Sequence, residues 1–452
     1  MVFERDAGTA VRPPPGTILR TIVIIVDRAL RAREAAGTPI RVGLFGPGFM
    51  GRGVASQIVN HTPGMRMSAI YARRIEQGIE AYAYSGVPTA AVAETQAALD
   101  AALEAGRPVV TADPMLLCRS PHVDVLIDAT GALELGAHIA LESFAHGKHL
   151  VLMNAELDAT LGPILQVYAK RNGVVVTTCD GDQPAVQINL FRFVTGMGLL
   201  PRVMGNVKGL QDRYRTPITQ KAFAEKWGQR PEMVTAFADG TKVNIEQAIV
   251  ANATGLTVPK RGLYGWDHRE HIDTLTTRYD LDELRALGGI VDYVVGATPG
   301  PAVFCLAEQP DERQRHYSAL YKLGDGPLYS FYTPYHLCTF EAPTTMARAV
   351  IFGDSAGSPL GGPLVEVCAV AKRDLKAGET LDDYGHFMTY GEAASTAECR
   401  AGRYLPEGLV EGCRLLKDVP KDSVVTYDDV ELPPGRLVDR LYAEQSAHFT
   451  VP

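Results

Sequence analysis

Between residues 40 and 180, short apolar runs alternate with longer stretches of mixed polarity. Residues 42–45, 66–71, 124–128, 149–153 and 174–178 read as strands. Helical stretches follow at about 49–60, 133–146 and 164–171, with Gly147 and Gly173 breaking the chain before the next strand. Alternation of this kind predicts a parallel, doubly wound α/β sheet. The middle of the chain has a different rhythm. Residues 203–209, 233–237, 243–249 and 289–295 read as β segments, residues 185–198 and 217–227 as helices, and Asp239-Gly240 as a hairpin turn. Mixed elements without βαβ alternation predict an α+β domain for substrate or oligomerisation.

A stretch rich in small residues, Gly353 to Pro363, precedes a final unit of about 70 ordered, mostly β residues. Within it, residues 373–381 are echoed by residues 417–425, 44 positions later. At the other end, Ile18, Ile22, Ile25 and Ala29 follow Pro13-Pro14-Pro15 with the spacing of one helical face. The predicted organisation is a leader and helix (1–38), a dinucleotide-type sheet domain (39–184), an α+β substrate or oligomerisation domain (185–352), and a linker with a small β-rich domain (353–452).

Composition narrows the function classes. The 452 residues carry 44 Lys+Arg against 52 Asp+Glu, a net charge of −8. Proteins dedicated to nucleic acid usually present a basic surface, so this balance predicts no nucleic-acid partner. Seven scattered cysteines, none spaced as CxxC, fit reduced thiols and a cytoplasmic protein. The apolar run at 22–26 is far short of the ~20 residues that span a bilayer, and no membrane partner is expected.

Gly46-Pro47-Gly48-Phe49-Met50-Gly51 leaves the first strand and opens a helix. In that setting Gly46 permits a tight turn, Gly48 lets backbone N–H groups approach a pyrophosphate, and Gly51 allows close helix–strand packing. A structural turn is the alternative. About 20 residues on, the second strand ends in Arg73-Arg74 where NAD-selective sites carry an acid. Two guanidiniums there suit a 2′-phosphate, which favours NADP(H) over NAD(H), unless they merely begin a solvated helix. Ala129, Thr130 and Gly131 follow another strand at the end where a nicotinamide crevice opens, and Asn154 follows the next. Thr130 and Asn154 are equally suited to capping the helices they precede.

These motifs, with Gly147 to Val151, resemble homoserine dehydrogenase-like oxidoreductases. Gly181 to Pro184, Ala251 to Leu256, Val291-Asp292-Tyr293 and Pro334 to Leu337 look like the 1-deoxy-D-xylulose 5-phosphate reductoisomerase-like (DRL) subgroup. Residues 367–379 are similar to a SAF domain. The resemblance spans roughly residues 20–440. It implies a Rossmann cofactor domain, a central catalytic and dimerisation domain, a SAF-like tail, and a homodimer or homotetramer. It also implies an activity that uses NADPH and a divalent metal (Mn or Mg). The homoserine dehydrogenase signature of the catalytic domain is absent, and Ala155 stands where those enzymes have lysine.

Lys208 matches the lysine of the DRL-like subgroup, which makes it a proton donor or a phosphate ligand. Asp182 is placed to hold a metal ion or a substrate hydroxyl, or else is a turn residue before Gln-Pro. His336, beside Tyr335 and near Glu341, is a proton relay or a structural histidine. Asn252, Thr254, Asp292 and Tyr335 are the candidate substrate contacts, although Asn-Ala-Thr-Gly is also ordinary turn chemistry and a buried Asp292 needs partners. His268 and His271 are poorly spaced for a metal, and Cys179 reads as core. Together these expectations describe an NADP(H)-dependent oxidoreductase, and possible reductoisomerase, acting on a small polyhydroxylated or phosphorylated carbonyl. The alternatives are simple alcohol dehydrogenation, as of homoserine, and non-catalytic nucleotide or carbohydrate binding.

Overall fold

In the computed structural model, which describes residues 26–450, the alternating runs form a seven-stranded parallel sheet. Its strands are β1 (Ile40–Phe45), β2 (Met65–Tyr71), β3 (Ala91–Val92), β4 (Val109–Thr111), β5 (Val125–Asp128), β6 (His149–Leu152) and β7 (Val176–Thr178), in the order β3-β4-β2-β1-β5-β6-β7. The order reverses at β1, so the carboxyl ends of β1 and β5 lie side by side where a doubly wound sheet opens its crevice. The expected stripe of Ile18, Ile22 and Ile25 falls outside the described residues. Helix Asp27–Ala35 begins just after it, with Val26 and Leu30 buried.

The second sheet is mixed: β8 (Leu200–Lys208), β9 (Trp266–Asp267), β10 (Ile290–Val295), β11 (Ala302–Glu308) and β12 (Leu328–Thr333), in the order β12-β11-β8-β10-β9. Two expected β segments are helical. Residues 233–237 lie within helix Pro231–Asp239, and residues 243–249 within helix Thr241–Thr254. Asp239-Gly240 is therefore a junction between helices, with Gly240 at φ +94°, and not a hairpin. The second of these helices is buried from Thr241 through Asn252 without a break. A helix enclosed on all sides carries no apolar stripe, and its β-branched residues then read as a strand. Gly240 and Gly255 (φ +81°) bound it, as left-handed glycines bound many helices.

Helix Ala155–Arg171 starts nine residues before the expected position, capped by Asn154, whose Oδ1 accepts from Leu157 N (3.2 Å). Pro163 breaks its ladder, and the side chain of Gln445 repairs the gap. Its Oε1 accepts from Ile164 N (3.1 Å) while its Nε2 donates to Thr160 O (3.1 Å).

The C-terminal unit contains β13 (Val365–Ala371) paired antiparallel with β14 (Thr389–Ser395), and β15 (Arg414–Leu415) with β16 (Val430–Glu431). Helices Thr396–Ala401 and Leu437–His448 make it less uniformly β than expected. The sequence echo becomes an internal twofold. Leu375 and Val419, equivalent positions of the two copies, exchange both backbone hydrogen bonds (2.9 and 3.0 Å). Asp374 accepts from Lys421 N and Asp418 from Ala377 N, each at 2.9 Å. The unit docks on the first domain, where Leu133, Leu157 and Leu161 share one core with Leu405, Leu409 and Leu441. Glu134 caps the last helix, accepting from Leu437 N (2.9 Å) and Val438 N (3.0 Å).

Candidate active site

Two loops at the carboxyl ends of β1 and β5 form one wall. Gly46, at φ +84°, sits so close to the β5 loop that a Cβ would lie 2.9 Å from Ala129 O, and a Cβ on Gly51 would strike Gly46 O. Gly48 faces open space and begins helix Phe49–His61, which has no side-chain cap. The first-turn N–H groups of that helix are free for an anion, and the cradle fits a dinucleotide pyrophosphate. Phe49 is exposed and Met50 half-buried beside them. Arg73 and Arg74 are exposed after β2, and neither forms an ion pair among the described residues.

The β5 loop is braced from below. Asp128 is fully buried, and its Oδ1 accepts from Thr130 N (2.9 Å) and Thr130 Oγ1 (2.6 Å). Its Oδ2 accepts from Asn154 Nδ2 (2.9 Å). Thr130 and Asn154 thus spend their side chains on shaping the crevice, Asn154 doing so while capping its helix.

The second wall is a buried polar cluster where the first two domains meet. Asp182 opens helix Gln183–Gly196 and accepts from Gln183 N (3.1 Å). Lys208, 9% exposed, ends β8, with its ammonium 5.8 Å from the Phe237 ring centroid. His336 is half-buried in the field of both: Asp182 pulls its pKa up, but burial and Lys208 hold it below the usual value. Cys338 Sγ donates to Gly181 O (3.1 Å) and lies 4.0 Å from His336 Nδ1. Burial and neighbouring carboxylates keep that thiol protonated.

The fully enclosed helix supplies the other half. Lys242 and Glu246 are one turn apart and face the cluster. Lys242 Nζ pairs with Glu156 Oε1 at 2.9 Å. Glu246 Oε2 accepts from Asn206 Nδ2 (2.8 Å). The Gln183 amide, with its nitrogen turned inward, donates to Asp182 Oδ1 (2.8 Å) and Glu246 Oε1 (3.3 Å), bridging two carboxylates. Burial pushes Glu246 up to about 7, with Lys208 the strongest opposing influence. Asp158 is also pushed up to about 7 by burial and Asp182, and its Oδ2 has no hydrogen-bond partner among the described residues.

Sequence reasoning singled out Asp182, Lys208 and His336, and the fold places these near one another. It missed Glu156, Asp158, Lys242 and Glu246. Two signals were available: the i, i+4 spacing of Lys242 and Glu246, and acids in the first turn after Asn154.

Other expected contacts lie elsewhere. Asn252 ties helix Thr241–Thr254 to β13, its Oδ1 accepting from Leu364 N (2.8 Å) and Val365 N (3.1 Å) and its Nδ2 donating to Val365 O (3.0 Å). Thr254 bonds back to Val250 O (2.6 Å). Asp292 is fully buried and accepts from Tyr264 N (3.0 Å), Gly265 N (3.0 Å) and Tyr279 Oη (2.8 Å). All three side chains are occupied by structural partners, which corrects their assignment as substrate contacts. Tyr335 is exposed next to His336, and Glu341 accepts from Leu337 N (3.2 Å). His268 is half-buried and His271 exposed, each with local partners, and Cys179 is fully buried. Among the described residues, no group of three or more His, Cys, Asp or Glu side chains is placed to hold a metal ion.

Two family models match consecutive stretches. Residues 46–178 match the NAD binding domain of homoserine dehydrogenase, and residues 181–342 match the catalytic domain of oxidoreductase DRL. The chain thus carries one stretch similar to an NAD-binding domain and a second similar to an oxidoreductase catalytic domain. A homoserine dehydrogenase of Pseudomonas aeruginosa is 27% identical over 138 residues, which are 30% of this chain and 28% of that protein. The chain thus aligns with just over a quarter of that relative's length. Among solved structures, a probable dehydrogenase from Thermotoga maritima aligns over 71% of this chain and 91% of its own (13% identity, TM-score 0.40). A myo-inositol dehydrogenase from Lactobacillus casei aligns over 40% of this chain and 49% of its own (17% identity, TM-score 0.28). No described helix is long and apolar enough to cross a membrane.

Proposed function

We propose that the protein is an NADP(H)-dependent oxidoreductase that interconverts an alcohol and a carbonyl on a small, hydroxyl-rich substrate. The observation that carries this reading is Lys208, buried at the end of β8 beside Asp182, Glu246 and a neutral His336 where the first two domains meet. When bound, the nicotinamide supplies or accepts the hydride. Lys208 hydrogen-bonds the reacting oxygen and stabilises the charge that develops on it. Asp182 accepts a hydrogen bond from a substrate hydroxyl, and His336, uncharged near neutral pH, takes up or returns the proton. The exposed pair Arg73-Arg74 supports NADP(H), because guanidiniums bind a 2′-phosphate well.

Charge bears on the substrate. The buried cluster holds four acids (Glu156, Asp158, Asp182, Glu246), of which Asp158 and Glu246 are raised to about 7, against two ammoniums, and Lys242 is already paired. Such a site suits neutral hydroxyls and disfavours a phosphate dianion. It equally suits an amine-bearing alcohol such as homoserine, the second reading. A cytoplasmic homodimer or homotetramer, without nucleic-acid or membrane partners, completes the proposal.

The test is NADPH and NADH turnover on a panel of carbonyls and alcohols. The panel includes 1-deoxyxylulose 5-phosphate, its unphosphorylated counterpart, polyols and homoserine, with product connectivity checked by NMR. Expected is faster turnover of an unphosphorylated substrate, NADPH preferred and the carbon skeleton unchanged. Tight NADPH binding without hydride transfer to any member overturns the catalytic reading.

A further inference from the structure

The C-terminal unit reaches the crevice directly. Its segment 382–388 wedges between helix Pro231–Asp239 and the β5 loop. Gly385, at φ +72°, approaches that helix so closely that a Cβ would collide with Glu232 O. Tyr384, 7% exposed, donates from its hydroxyl to Gly131 O (3.2 Å). A Cβ on Gly131 (φ +67°) would come within 3.4 Å of the same hydroxyl. The β5 loop is thus held from two sides, by Asp128 inside the first domain and by Tyr384 from the third.

The segment itself is anchored. Lys372 Nζ, almost fully buried, donates to His386 O (2.9 Å), Asp239 Oδ2 (2.8 Å) and Arg215 O (3.0 Å). Arg215 lies in the loop that follows Lys208, and Tyr214 of that loop donates to Asp422 Oδ2 (2.9 Å). One small unit therefore grips a loop from each wall of the site.

We propose that Tyr384, carried by the C-terminal unit, is a positioning residue of the dinucleotide crevice that fixes the Ala129–Gly131 loop at the nicotinamide end. The inference rests on the reading of the crevice as a nicotinamide site. Gly46 touches Ala129, so a shift of the β5 loop changes the crevice between the glycine turn and the catalytic cluster. Tyr384 does not approach the Arg73-Arg74 end, and its effect is confined to the ring half of the cofactor.

The experiment uses the full chain and the Tyr384→Phe variant, which keeps the packed ring and removes one hydrogen bond. Dissociation constants are measured by fluorescence for NADPH and for 2′-phospho-ADP-ribose, which lacks the nicotinamide ring. Expected is about fivefold weaker NADPH binding, the worth of one hydrogen bond, with the fragment's affinity unchanged. Equal weakening of both ligands marks a general structural role and overturns the proposal, as does unchanged NADPH affinity. A wild-type chain that binds no nicotinamide dinucleotide overturns the reading of function, and the inference with it. Should the Phe variant unfold, Tyr384→His, which retains a ring and a donor, is read by the same pair of ligands.

Discussion

Two buried aspartates of the central region meet opposite fates. Asp292, in the middle of β10, receives two backbone N–H groups and a tyrosine hydroxyl, so both oxygens are occupied although burial still pushes its pKa up to about 6. Asp182 stands at a helix start among Asp158, Glu246, Lys208 and His336, and its environment is made of titratable side chains. The first arrangement fixes an acid in place, since a satisfied buried carboxylate has nothing left to offer a ligand. The second leaves charge and hydrogen-bonding capacity to be completed by something else. Satisfaction of a buried acid, more than burial, separates scaffold from site here.

The strongest way to break that comparison is to remove the charges at the site. Lys208→Met is expected to lower kcat about a thousandfold and Asp182→Asn about a hundredfold, the scale set by deleting a group that stabilises developing charge. NADPH affinity stays within about twofold in both. Steady-state kinetics beside a fluorescence titration checks the pair of outcomes. If Lys208→Met loses cofactor and turnover together, the lysine is part of the dinucleotide site and not the group that holds the reacting oxygen.

The opposite pattern is expected at Asp292. Asp292→Ala strands two N–H groups and the Tyr279 hydroxyl in the interior and costs about 3 kcal/mol of stability. Turnover per folded molecule is unchanged. Denaturant unfolding with activity normalised to folded protein checks this. A variant as stable as wild type but inactive would restore Asp292 to the list of substrate contacts.

How much of this was legible in the sequence follows from the same physics. The parallel sheet was readable because each buried strand is a short apolar run bounded by glycine or a charged turn, as by Gly46 after β1 and Gly147 before β6. Lys208 stood out by matching the lysine of the DRL-like subgroup at a strand end, and Asp182 by following Gly181 near the junction of the first two domains. Lys242 and Glu246 did not, because helix Thr241–Thr254 is buried on every side and its Val, Ile and Ala residues show no 3.6-residue stripe. Asp292 was chosen as a polar residue in an apolar segment and Asn252 for its place just before Gly255, and a structural anchor looks the same before its partners are known. The echo between residues 373–381 and 417–425 carried more than expected: it records a twofold in which the two copies pair with each other.

The finest test of the comparison concerns Asp158, the buried acid of the cluster with an unpartnered oxygen. Its pKa of about 7 in the folded protein lies above the ordinary 3.8. The folded state therefore holds the proton more tightly than the unfolded chain. The stability this contributes is complete below pH 3.8 and is lost as pH rises through about 7. Asp158→Asn cannot ionise and escapes that loss. Its melting temperature relative to wild type should increase between pH 5 and pH 8, by a few degrees at most, because cofactor and substrate are absent and the neighbouring charges relax. Differential scanning calorimetry across that range provides the check. A difference that stays flat with pH would mean that Asp158 remains ionised in the folded protein across that range. The line drawn between the two kinds of buried acid would then have to move.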